Sequence, residues 1–255
     1  VRYVVNMAGL EWARSKWGGA AQRLLKYNEA AAARSAHVFI ADNQGLVNYV
    51  RQAYDRSSVL IAYGGDQFEE IAADHSVFDE YDLPAQYDFA MARAQVDNNL
   101  ELILDAYVES ALPLVFVSNW SSSPFGQAIR ERYRQHPNIF LIGPVYDPAK
   151  VKALHQRVRV YVHGHSAGGT NPVLVEAMWA KLPTLAFDVP FNRFTTHEHG
   201  FYFNRRAELV ALSTQTPPDA LAASGTALRA TAERCYSWAA IRHAYEEIIL
   251  SMEVA

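Results

Sequence analysis

Val158-Arg159-Val160-Tyr161-Val162, His163-Gly164-His165-Ser166-Ala167-Gly168-Gly169-Thr170-Asn171 and Pro172-Val173-Leu174-Val175-Glu176 follow one another without a break, and they decide how this chain folds. The first run is short, apolar and β-branched, the composition of a buried strand. The second cannot continue it, because two adjacent glycines and three hydroxyl or amide side chains mark a turn. Pro172 suits the first position of a helix, where its missing N–H costs nothing. Strand, glycine-rich turn and helix together form an anion cradle: glycine lets the backbone approach a ligand, and the unpaired amides and dipole of the helix start favour negative charge. Thr170 and Asn171 add donors. One turn into the helix, the Glu176 carboxylate is spaced to accept sugar hydroxyls. A phosphate at the turn and a ribose beside Glu176 describe a nucleotide.

The pattern repeats outward. Strands are expected at Tyr87 to Met91, Leu114 to Val117, Ile139 to Ile142 and Thr184 to Phe187, and helices at Asn98 to Glu109, Phe125 to Arg134 and Ala149 to His155. This alternation implies a doubly wound parallel sheet. Upstream, strands at Val1 to Asn6, His37 to Ala41 and Val59 to Ala62 alternate with helices at Ala20 to Ser35 and around Leu46, Val47 and Val50. A chain that opens on a buried strand is expected to have structure before it. Gln67 to Gln86 is acidic and aperiodic, and reads as a linker or surface excursion. Tyr236 to Met252 reads as a separate amphipathic helix.

Each part also has a structural reading. A Gly-Gly turn often serves only the backbone, and Glu176 alone reads as a solvated helix residue. Arg93 can be a surface partner of Asp97 or Glu101. His163 and His165 alternate at a strand end, so they are expected on opposite sides and make poor joint metal ligands; no metal site is expected. His197-Glu198-His199 lacks the spacing of a zinc protease motif and reads as a solvated loop.

With 255 residues, half of them hydrophobic, the chain can bury one large core or two modest ones. A net charge of -4 without a basic cluster argues against nucleic acid. The single cysteine, Cys235, fits a reducing compartment, and no apolar run reaches membrane-spanning length. The expectation is a soluble cytoplasmic protein, with peripheral contact at the inner membrane left open.

The run from His163 to Met178 resembles the donor-site motif of family-4 retaining glycosyltransferases, in particular the bacterial polysaccharide branch of rhamnosyltransferases. Gly9-Leu10-Glu11-Trp12 with Arg14, Lys16 and Trp17, Ala41-Asp42, Tyr63-Gly64-Gly65-Asp66, Ala92-Arg93 through Asp97-Asn98-Asn99, Gly143-Pro144-Val145-Tyr146, Phe191-Asn192-Arg193 and Tyr236-Ser237-Trp238 resemble further landmarks of that branch, in order. The resemblance implies an α/β fold of GT-B type: two Rossmann-like, doubly wound parallel-sheet domains with the active site between them. Residues 1–66 would be a partial amino-terminal, acceptor-side domain and 67–235 the nucleotide-sugar domain, with 236–255 crossing back to the first. A complete amino-terminal domain would need on the order of a hundred residues beyond the roughly sixty present. A preceding segment or a partner chain is therefore expected.

By the same resemblance, Arg93 pairs with the diphosphate, Gly168, Gly169, Thr170 and Asn171 form the cradle, and Glu176 takes the ribose. Gly143 and Val145 lie near the base, and His163 or His165 near the transferred sugar. The implied activity is retaining, metal-independent transfer of a sugar from a nucleoside diphosphate sugar, with dTDP-rhamnose favoured, to a glycan or lipid-linked glycan in surface polysaccharide assembly. No cofactor is implied beyond that donor. Three positions depart from the pattern. Gly168 replaces the first of two glutamates common in the family, Asn98 replaces a frequent lysine, and Ala8 replaces an acid before Gly-Leu-Glu-Trp. An inactive nucleotide-sugar-binding remnant and another GT-B enzyme, such as a sugar-nucleotide epimerase, are the alternatives.

Overall fold

The computed structural model describes residues 2–14 and 17–254; Val1, Lys16 and Ala255, which enter the expectations above, lie outside them. Two parallel sheets organise the chain. The smaller contains β1 (Val4–Met7), β2 (Val38–Ala41) and β3 (Val59–Leu60) in that spatial order, connected through α1 (Gly19–Ser35) and α2 (Gln44–Tyr54). After α3 (Ser76–Glu80) comes the larger sheet. Its strands and following helices are β4 (Tyr87–Met91), α4 (Leu100–Ser110), β5 (Leu114–Val117), α5 (Pro124–Tyr133), β6 (Ile139–Ile142), α6 (Pro148–Gln156), β7 (Val158–His163), α7 (Pro172–Trp179), β8 (Thr184–Phe187), α8 (Pro190–Thr196), β9 (Phe201–Phe203) and α9 (Arg206–Gln215). Two more helices, α10 (Pro218–Cys235) and α11 (Trp238–Val254), complete the described chain.

The larger sheet is ordered β6-β5-β4-β7-β8-β9, all parallel. Its winding therefore reverses between β4 and β7. Crossovers leaving those two strands diverge to opposite sides and open a crevice beyond their carboxyl ends, where ligands of such sheets bind. Arg93 follows β4 and the cradle follows β7, so the topology brings together two segments that the sequence separates widely.

Helices cover both faces of this sheet. Phe89, Val115, Tyr161, Leu174 and Met178 lie in one core; Leu104, Phe116, Val160 and Leu185 lie in the other. Strand β2 of the smaller sheet is also divided by the two-residue period of a strand. Phe39 and Ala41 pack with Leu46 and Val50, whereas Ile40, with Ile61, meets Ile241 and Ile248 of α11. The Asn6 side-chain amide donates to the Tyr245 hydroxyl at 2.8 Å, fastening α11 to β1.

The segment from Gln67 to Gln86 is more than a surface excursion. Val77, Phe78 and Leu83 are buried in the larger core. A five-residue helix is too short for its periodicity to register against the surrounding acidic residues.

Candidate functional site

Beyond β4 and β7 lie two adjoining cavities. The larger, about 580 Å³, is walled mainly by apolar groups, among them Met91, Val117, Val145 and Tyr146, with Glu176, Asn119 and the buried Ser118 among its polar groups. The smaller, about 270 Å³, lies between the sheets and is lined by Arg14, Asp42, Tyr63 and the backbone from Ala167 to Asn171. Arg93, His165, Asn171 and Pro172 line both.

Arg93 stands where the cavities join. Neither carboxylate considered for it pairs with it: Asp97 meets Arg14 and Glu101 meets Arg132. Among the described residues its guanidinium has no ion-pair partner, and it projects from a loop held from behind. The buried Asn98 donates to the Arg93 carbonyl at 2.8 Å, and the Asn119 side chain accepts from the Ala94 amide at 2.9 Å. Asn98 thus shapes the loop and supplies no charge. The second cation at the small cavity is Arg14, from the other side of the cleft, which the sequence reading treated only as a family landmark.

The cradle itself is partly occupied. Asn171 caps α7 by accepting from the Val173 amide at 3.0 Å. The Thr170 amide, assigned above to an anion, donates to Asp42 Oδ1 at 3.2 Å, and the Thr170 hydroxyl donates to the Asp42 carbonyl. The amides of Gly168, Gly169 and Asn171 have no acceptor among the described residues. The reason lies in the end of β2: Asp42, 1% exposed, is inserted against the loop so closely that a Cβ on Gly169 would lie 1.8 Å from its Oδ1. Burial raises the Asp42 carboxyl to about 7, against the lowering effect of its hydrogen bonds with Thr170, its own backbone and Tyr63. Asn43 adds to the clamp, capping α2 while its side chain donates to the Phe191 carbonyl at 3.1 Å and the Thr170 hydroxyl at 3.3 Å.

Gly168 has φ +138, a region side chains rarely adopt, and a Cβ there would meet nothing within 4 Å. The missing glutamate is therefore a matter of backbone conformation and not of space. Gly9, also at positive φ, lies directly on it: a Cβ on Gly9 would be 3.0 Å from the Gly168 Cα. Paired glycines allow the two loops to touch, and they bring Ala8 into the wall of the smaller cavity.

The histidines differ from expectation. Strand β7 ends at His163, and side chains two residues apart in an extended chain lie on the same side, not on opposite ones; the rings of His163 and His165 stack with centroids 4.4 Å apart and 15° between planes. His165 lines both cavities; His163 lies behind it, buried, beside the Tyr161 hydroxyl at 3.1 Å, and lines neither. Burial holds His163 well below its ordinary range. His165 falls to about 3 by burial, assisted by Arg93 and Arg14. Both are neutral near pH 7, so His165 can offer a hydrogen bond but no proton of an imidazolium. No group of three or more metal-ligating side chains occurs among the described residues.

Glu176 is half-buried rather than solvated. It accepts from the Gln67 side-chain amide at 2.6 Å, and burial raises it to about 7 against that hydrogen bond. Val145 lines the apolar cavity, whereas Gly143 precedes the lining segment that starts at Pro144.

Residues 1–66 match the model of a family described as a domain of unknown function, DUF1972. No curated protein matches the sequence. Sucrose-phosphate synthase from Thermosynechococcus elongatus is similar in structure, with a TM-score of 0.81 at 17% identity over 99% of this chain and 68% of that one. HepE from Anabaena, solved with UDP and glucose, gives 0.76 at 16% identity over 98% of this chain and 72% of its own. The pneumococcal O-GlcNAc transferase GtfA, solved with UDP and GlcNAc, gives 0.67 at 16% identity over 98% and 52%, so this chain spans about half of that protein. These likenesses, with the two parallel sheets and the cleft between them, establish the architecture: the chain has a GT-B-type α/β fold.

Proposed function

We propose that this cleft belongs to a glycosyltransferase that moves a sugar from a nucleoside diphosphate donor to a hydroxyl acceptor. One observation carries the reading: the unpaired Arg93 guanidinium stands on the wall shared by an apolar cavity containing Glu176 and a polar cavity edged by free amides and Arg14. A diphosphate at that wall would place its base and ribose in the larger cavity and its sugar in the smaller. The donor C1–O bond breaks with its electrons leaving on the diphosphate, the acceptor oxygen bonds to C1, and the acceptor proton departs to the phosphate or to water. Arg93, Arg14 and the Gly168 and Gly169 amides stabilise the charge that develops. HepE and GtfA, which were solved with UDP, support a nucleoside diphosphate ligand.

The finer reading is retention of configuration with a deoxyhexose such as rhamnose, carried as dTDP-rhamnose. The glycine at 168 supports it by removing a carboxylate that would otherwise meet sugar hydroxyls. The acceptor would be a glycan or lipid-linked glycan of a surface polysaccharide, reached in the cytoplasm at the face of the inner membrane. A partner chain would complete the acceptor side; GtfA, a structural neighbour, occurs in a GtfA/B complex. The occupied Thr170 amide and the Ala8 wall favour one alternative, a binder without turnover. Calorimetry with a panel of nucleoside diphosphates, then their sugars, tests the reading, followed by donor consumption with and without acceptor. Failure of every nucleoside diphosphate to bind more tightly than pyrophosphate overturns it; saturable binding with no turnover selects the alternative.

A further inference from the structure

Gln67 is exposed, yet both ends of its amide are held. The Trp238 indole N–H donates to Gln67 Oε1 at 3.0 Å, and Gln67 Nε2 donates to Glu176 Oε1 at 2.6 Å. A flipped amide would set its NH2 against the indole N–H, donor to donor, and turn its oxygen toward a carboxylate, so only one orientation is satisfied. The indole is itself fixed. Its backbone amide donates to Asp66 Oδ1 at 2.8 Å, and its ring lies so close to Gly64 that a Cβ there would approach it to 2.5 Å.

We propose that Gln67 is the positioning residue of the Glu176 carboxylate, aiming one oxygen and leaving the other for ribose hydroxyls, and that Trp238 at the start of α11 fixes its aim. The inference rests on the nucleotide reading of the larger cavity. Gln67 favours the ionised carboxylate by donating to it, whereas burial disfavours it.

A tyrosine, two histidines and a glutamate near Glu176 each keep one charge state near neutral pH. Tyr161 on β7 is raised by burial and stays neutral. His155 on α6 is lowered to about 4 and His165 to about 3, so both are neutral. Glu69 is held ionised by Arg229. Lys152 donates to the Phe68 and Glu69 carbonyls, and Arg93 lines the same cavity as Glu176.

The test measures affinity for UDP and for inorganic pyrophosphate from pH 6 to 9 in the parent, Gln67→Ala and Trp238→Phe. UDP affinity of the parent should climb as pH rises through about 7, where Glu176 ionises. In Gln67→Ala the climb should move up by about one pH unit, weakening UDP binding about three- to tenfold at pH 7 and hardly at all at pH 9. Trp238→Phe, which keeps the ring and removes the N–H, should move it the same way by less. Pyrophosphate affinity should agree among all three. A Gln67→Ala loss that is equal at every pH would mean a structural role and would overturn the proposal. Glu176→Ala separates the two levels. If it leaves the preference for UDP over pyrophosphate intact, the nucleotide reading fails; if it abolishes that preference while Gln67→Ala follows the parent profile, only the role of Gln67 fails.

Discussion

Gly169→Ala places a methyl carbon 1.8 Å from Asp42 Oδ1, well inside the 3.0 Å that real contacts respect. The carboxyl cannot swing away freely, because it is 1% exposed and accepts from the Thr170 amide. Either the loop after β7 or the end of β2 must shift, and the Thr170 amide loses its acceptor. Overpacking of this kind costs about 1–3 kcal/mol, and a hydrogen bond to a buried, largely uncharged carboxyl contributes about 0.5–1.5 kcal/mol. Together they give an expected loss of roughly 3 kcal/mol, seen as a lower midpoint in chemical denaturation and a melting temperature reduced by roughly 6–12 °C. Asp42→Ala removes the obstacle, so adding Gly169→Ala to it should cost little, with a coupling of about 2 kcal/mol in the double-mutant cycle. Gly168→Ala is the control next door: its strain comes from φ +138 and not from a neighbour, so its cost should be the same with or without Asp42. Additive behaviour of Gly169→Ala and Asp42→Ala, or a Gly169→Ala protein within about 0.5 kcal/mol of the parent, would refute the clamp.

Arg93→Ala should weaken a nucleoside diphosphate by about 1.5–3 kcal/mol while sparing the nucleoside, by calorimetry; equal loss of both would remove Arg93 from the phosphate. Glu176→Ala should cost a nucleoside diphosphate about 1.5–3 kcal/mol, with Glu176→Gln intermediate, and leave pyrophosphate bound at least as tightly. A parallel loss of both ligands at unchanged melting temperature would reduce the site to a generic anion site. Asp42 carries a stability signature in pH. Its carboxyl titrates near 3.8 when free and at about 7 when folded. Between those values the unfolded chain releases the proton and the folded one keeps it, so this group lowers stability as pH rises from 4 to 7, with no further change above. Relative to the parent, Asp42→Asn should therefore gain about 4 kcal/mol in denaturation free energy between pH 4 and pH 8; a constant difference would contradict the buried acid.

The strand and helix pattern was legible because the central strands are short apolar runs buried on both faces, such as Leu114 to Val117, punctuated by glycine and proline. Pro172 marked the start of its helix for the reason given, an N1 position that needs no amide. What escaped the sequence depends on contacts across long separations. Nothing near Gly168 to Asn171 reveals that Asp42 claims the Thr170 amide, since the two are 128 positions apart. The shared side of His163 and His165, by contrast, was legible, because residues two apart in an extended chain lie on one face; only the closeness of their stacking required the fold. Arg14 had one available signal, an isolated arginine beside Gly-Leu-Glu-Trp, but its position on the cavity wall required the fold.

Strand β2 also has a consequence for the order of assembly. One of its faces is closed by Leu46 and Val50, close in sequence, but Ile40 and Ile61 are covered by Ile241 and Ile248, and the Asn6–Tyr245 bond spans 239 positions. During synthesis the first sheet must wait, one apolar side uncovered, while the whole larger sheet is translated and folds. Contacts of such separation form late because their loop closure comes before any reward. The early strands therefore depend on α11 for their final cover, and a nascent chain halted before Ile241 would present an open β-surface to chaperones or to other nascent chains.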